Sequence, residues 1–190
     1  NRLQNLVIRV SQTWWLYLCV VLLFAGSLLS LLRIGEKFPS YAAGNQPFDL
    51  QNALTAAEVY PQFATWTENA RNLYHAFTLI DYAFPFFAGL FIAATAAFAM
   101  RVSLPTWYAA LTRRNLLPVF MFGTAFDWLE NIAALGVISL YPTELRGLPI
   151  VLVLAKQLKL VCVLSAQAVT LLLLLYAAGN WLTARLRLRR

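Results

Sequence analysis

Residues 14–32 read WWLYLCVVLLFAGSLLSLL, nineteen positions without one charged side chain. A helix of ~20 residues, at about 1.5 Å of rise each, covers the ~30 Å hydrocarbon core of a bilayer. The stretch therefore reads as a membrane span. Arg2 and Arg9 precede it, and the small residues of Ser40-Tyr41-Ala42 follow, as they would in a secretory signal. Its apolar run exceeds the ~7–15 residues of a signal core, so it is read as a retained anchor.

Three further apolar runs lie downstream, at about 76–100, 116–141 and 148–181. The last exceeds what a perpendicular crossing needs and should tilt or protrude. Composition agrees: of 190 residues, 61% are hydrophobic and 12% charged, whereas a soluble domain carries ~25% charge. A share of 14% aromatic residues with eight prolines excludes a disordered or collagen-like chain. Cys19 and Cys162 lie in apolar runs as packing thiols and can form neither a disulfide framework nor a four-ligand zinc site. A single histidine, His75, excludes a haem-ligating pair. The expected fold is an all-α, integral membrane four-helix bundle, one membrane domain over 1–190.

Charge gives the orientation. Arg2, Arg9, Arg101, Arg113, Arg114, Arg185, Arg187, Arg189 and Arg190 occupy the segments before the first span, between the second and third, and after the fourth, with no acid among them. The other connections mix Arg33, Lys37, Arg71 and Arg146 with Glu36, Asp49, Glu58, Glu68 and Glu144. By the positive-inside rule both termini are cytoplasmic. Trp14, Trp15, Trp107 and Trp181 fall near the inner interface, where amphipathic rings gather. The net charge of +7 thus serves topology and anionic lipid, not nucleic acid.

Residues 34–75 form the one long connection, here read as external. Thr55-Ala56-Ala57-Glu58 has the capping-box pattern of a helix start. From Phe63 through Trp66, Ala70, Leu73, Phe77, Ile80 and Phe84, apolar residues step by three and four. The spacing predicts an amphipathic helix running unbroken into the second span, as a cap on the bundle or a lid over a site.

Five ionisable residues lie inside the spans: Asp81, Asp127, Glu130, Lys156 and Lys159. A charge at a helix centre costs ~2.5–3.5 kcal/mol even on the insertion scale, so these should not face lipid. Asp127, Glu130 and Asn131 are spaced i, i+3, i+4 and share one helical face, which Phe120, Gly123, Thr124 and Ala134 extend. Lys156, Lys159, Val163, Gln167 and Thr170 share another, as do Tyr74, Thr78, Asp81, Pro85 and Ala88; Pro85 should loosen or kink its helix. Counting from the span ends puts Lys159, Asp127 and Glu130 roughly 16–21 Å deep and Asp81 roughly 7 Å below the outer surface.

Two readings follow. The charges neutralise one another and fix helix register at little net stability, or they wall a hydrated, outward-opening pocket. The candidate ligand-binding residues are Asp81, Asp127, Glu130, Asn131, Lys156, Lys159 and Tyr74, with Asp81 guarding the mouth. His75 reads as a surface or capping group. No Gly-x-Ser-x-Gly, phosphate loop, dinucleotide fingerprint or metal cluster is present, and neither cofactor nor metal is expected.

Asp81-Tyr82-Ala83-Phe84-Pro85, Asp127-Trp128-Leu129-Glu130-Asn131, Tyr141-Pro142 and Lys156 together resemble a family of uncharacterised bacterial four-span membrane proteins with Asp-x-x-Phe-Pro and Asp-x-x-Glu-Asn helices. The resemblance covers about residues 48–160, implies no activity and makes a bacterial inner membrane the expected location. More loosely, the arrangement is similar to the emopamil-binding and sigma-2-receptor type of sterol-handling proteins, which carry acids and a histidine in positions that this chain lacks. The leading expectation is a pocket for a small lipophilic or amphipathic molecule. The alternatives are a non-catalytic subunit of a larger membrane complex and an intramembrane acid–base enzyme such as a double-bond isomerase. Expected partners are the lipid bilayer, that small molecule and membrane-complex subunits, with no nucleic acid.

Overall fold

The computed structural model describes residues 1–188; Arg189 and Arg190 of the basic tail lie outside the described residues. Seven α-helices and no strand occur among them: α1 (Arg2–Gln12), α2 (Trp14–Lys37), α3 (Val59–Ala64), α4 (Glu68–Ser103), α5 (Pro105–Arg113), α6 (Phe122–Leu140) and α7 (Gly147–Leu188). Helices α2, α4 and α7 are long and apolar enough to cross a membrane. The predicted third span is not one of these. Asp127, Glu130 and Asn131 occupy the middle of the nineteen-residue α6 and dilute its apolar character. Instead α6 packs between α4 and α7, which bury its polar face.

The span reading assigns no element to the basic segments that form α1 and α5. Val7 and Val10 of α1 are buried against the far end of α4. Gln4 ties this end together: its Nε2 donates to the Thr112 carbonyl (2.6 Å) and its Oε1 accepts from Leu117 N–H (3.3 Å). Asn115, in the left-handed region at φ 56°, turns the chain after α5.

At the opposite end, residues 38–67 fold into a cap. The expected unbroken helix from Phe63 into α4 does not form: α3 stops at Ala64 and α4 starts afresh at Glu68. Thr67 is the reason, because its Oγ1 accepts from Ala70 N–H (3.2 Å) as N-cap and also donates to the Tyr41 carbonyl (2.9 Å). Half of the predicted capping box is made. Glu58 accepts from both the N–H and the hydroxyl of Thr55 (2.8 and 2.7 Å), but α3 begins at Val59, so Thr55 is not its N-cap. Those hydrogen bonds hold the exposed Glu58 carboxyl below its ordinary value.

Pro85 does not interrupt α4. Proline lacks the N–H that would pair with the carbonyl four residues back, here Asp81. The freed carbonyl accepts from Asn131 Nδ2 of α6 (3.4 Å), and Thr124 Oγ1 donates to the Pro85 carbonyl (2.7 Å). Small residues let the helices approach: a Cβ at Gly123 would lie 2.5 Å from Val163 Cγ2, and one at Gly89 would lie 2.6 Å from Thr124 Oγ1.

Candidate functional site

All seven sequence-predicted residues join one buried network. Lys159 Nζ of α7 lies 2.6 Å from Glu130 Oε2 and 3.4 Å from Asp127 Oδ2, both on α6. Lys156 Nζ, one turn away, lies 3.4 Å from Glu130 Oε1. Asn131 Nδ2 reaches Asp81 Oδ2 of α4 (2.9 Å) and Asp127 Oδ1 (3.4 Å). Glu130 and Asn131 are completely buried. In so enclosed a site a charge is held by its partners, not by water.

Asp81 is not at a mouth. Helix α4 starts at Glu68, eight residues before the span start used for the depth reading. Thirteen residues of helix then precede Asp81, about 20 Å, which brings it level with Asn131.

One member was missed by sequence reasoning. Asp49 descends from the cap, accepts from Tyr74 Oη through Oδ2 (2.9 Å), and places Oδ1 4.0 Å from Lys159 Nζ. Asp49 links Tyr74 to the network. Lys156 Nζ donates to the backbone carbonyls of Phe48 and, at 3.2 Å, Gln51. Above these contacts Phe48, Trp66 and Tyr74 pack ring to ring, Phe48 stacked on Trp66 at 4.6 Å between centroids. The open polar mouth expected from the sequence is thus covered: cap residues occupy the chamber's roof. No periodicity in residues 38–67 carries this signal, because Asp49 sits on a single 3₁₀ turn, Phe48–Leu50.

The chamber is rich in acceptors. It gathers four carboxylates (Asp49, Asp81, Asp127, Glu130) against two ammonium groups. Asn131 Oδ1 and Asp49 Oδ1 are buried without a hydrogen-bond donor. Oxygens of Asp49, Asp81 and Asp127 lie within 4.8 Å of one another, close enough to share a cation. Lys159 already supplies positive charge to two of the three. His75 is exposed on α4, outside the network.

Below the chamber, a cavity of about 320 Å³ runs between α2, α4, α6 and α7 and meets Asp127. Phe24, Phe84, Phe91, Phe120 and Val163 supply apolar walls, and Thr124, Gln167 and Thr170 isolated polar points. Helices α2 and α7 flank α4 without extended packing on each other, which leaves the side of the cavity between them uncovered. The chain matches no protein-family model, no curated protein and no solved structure.

Proposed function

We propose that the protein is an integral membrane protein, with a bacterial inner membrane as its setting, that holds a small lipophilic or amphipathic molecule in an intramembrane cavity ending on Asp127. The observation that carries this reading is the cavity itself: mostly apolar, within the ~300–1,000 Å³ of small-molecule sites, and touching one carboxylate of an acceptor-rich chamber. A hydroxyl or amino group on the occupant would find unfilled acceptor capacity there. In this reading α6, with the turn at Leu117–Met121 before it, is the third of the four crossings of a four-helix membrane bundle. The acid-free basic segments put both termini on the cytoplasmic side and the cap outside.

A photoactivatable long-chain alcohol bearing a diazirine tests this on the full chain in lipid nanodiscs. Labelling is expected on peptides around Phe120, in the turn before α6, and around Val163 of α7. Ala88→Trp, which fills the cavity from α4, is expected to cut that labelling roughly tenfold, as loss of about 1.4 kcal/mol of apolar burial would, while the melting temperature holds. Equal labelling of wild type and variant, or labelling confined to the lipid-facing surface of α2, would remove the reading.

A further inference from the structure

A second cavity, of about 530 Å³, lies at the joint between α1 and α2, where neither the charge network nor the cap reaches. Its chemistry is graded. Ser11, Gln12, Thr13 and Arg101 line one end, and Tyr17, Phe91 and Leu174 the other. Arg101 is half-buried at the last turn of α4. Its guanidinium rests 5.8 Å from the Phe98 ring centroid and donates one hydrogen bond, from Nη2 to the Ser11 carbonyl (3.3 Å). Among the described residues no carboxylate oxygen lies within 4.0 Å of it. A guanidinium has five N–H donors in a planar fork that suits phosphate, so most of its capacity is unspent.

We infer that this cavity is a site for an anionic phospholipid, with the phosphate on Arg101 and an acyl chain laid along Tyr17, Phe91 and Leu174. Three observations select that occupant. The cation sits at the polar end of a space whose other end is apolar, as a headgroup and chain require. Trp14, on the cavity wall, is 78% exposed and Trp15 53% exposed, which suits rings at the headgroup level. The surrounding surface carries Arg2, Arg9, Arg113 and Arg114 with no acid in these segments, and so concentrates anionic lipid nearby. The site stands on its own cavity and cation, whatever fills the space beside Asp127. The two cavities nevertheless share Phe91, Thr95 and Leu174 as wall, so a chain anchored at Arg101 extends toward Asp127.

The test uses the full chain in nanodiscs of equimolar phosphatidylglycerol and phosphatidylcholine with matched acyl chains. Retained lipid is counted by native mass spectrometry after transfer to mild detergent. Wild type is expected to retain phosphatidylglycerol over phosphatidylcholine at a ratio of about ten to one, against the equal amounts in the bilayer, the factor one charge-assisted phosphate contact supports. Arg101→Gln should bring the ratio close to that of the bilayer, whereas Arg113→Gln, on the exposed face of α5, should lower it far less, because that guanidinium adds only to the surface field. Gln12→Glu, at an exposed position on the cavity wall, should lower retention as well, and it serves if Arg101→Gln fails to fold. Retention at the bulk ratio by wild type would overturn the site, as would equal losses in Arg101→Gln and Arg113→Gln. Diazirine-alcohol labelling near Phe120, read on the same preparations, separates that failure from failure of the intramembrane cavity beside Asp127.

Discussion

Lys159→Met is expected to lower the unfolding free energy by about 3–5 kcal/mol, the usual penalty for removing one partner of a buried ion pair. Among the described residues Lys159 is the only ammonium within 4.0 Å of Asp127, at 3.4 Å, and it also lies 2.6 Å from Glu130 and 4.0 Å from Asp49. Methionine keeps the length and apolar stem of the side chain but removes the charge. Three carboxylates would then be left with Lys156, which reaches only Glu130 among them. Reversible unfolding in mixed micelles, or steric trapping in bicelles, measures the loss. A change below about 1 kcal/mol, the range of exposed pairs, would mean that water enters the chamber freely.

Phe48→Ala should cost a similar amount, about 3–5 kcal/mol, as large-to-small changes of buried aromatics do. Phe48 is fully buried, stacks on Trp66 and meets Tyr74 edge-on at 5.6 Å. Its backbone carbonyl also receives Lys156, so a loosened cap frees the lysine as well. Hydrogen exchange across residues 38–67 should accelerate, while the part of α7 remote from the cap keeps its protection. Unchanged exchange in the cap would show that Phe48 does not hold it down.

How far the sequence carried the fold differs from element to element. The uncharged run at 14–32 announces α2, because an apolar helix of that length has few places to go other than a bilayer. Helix α6 is harder to read: its apolar length is interrupted by the side chains that give the chain its site, and only packing against α4 and α7 accounts for them. The amphipathic α1 was legible in principle, since Leu3, Leu6, Val7 and Val10 recur at helical spacing, but its arginines draw attention to topology instead.

The site divides in the same way. Spacing placed Asp127 with Glu130 and Asn131, and Lys156 with Lys159, because residues three and four apart share a helical face. Which helices would meet was suggested by the cost of leaving charges in lipid. The contribution of Asp49 lay beyond such arguments. Its position depends on how Phe48, Trp66 and Tyr74 pack together, and long-range packing of a loop has no period to read. The depth of Asp81 failed for a related reason: counting inward needs the true helix start, and Thr67 sets it about two turns earlier than hydropathy does.

Glu130 of α6 and Lys159 of α7 share one closed chamber, where they are expected to stabilise each other across the helix interface. A double-mutant cycle on Glu130→Gln and Lys159→Met, read by unfolding free energy in bicelles, measures that directly. Strong coupling is expected: the double variant should be more stable than the sum of the single losses allows, by about 1.5 kcal/mol or more, since removing both charges leaves neither stranded. Additive losses, within the ~0.3–0.5 kcal/mol seen for independent sites, would contradict it.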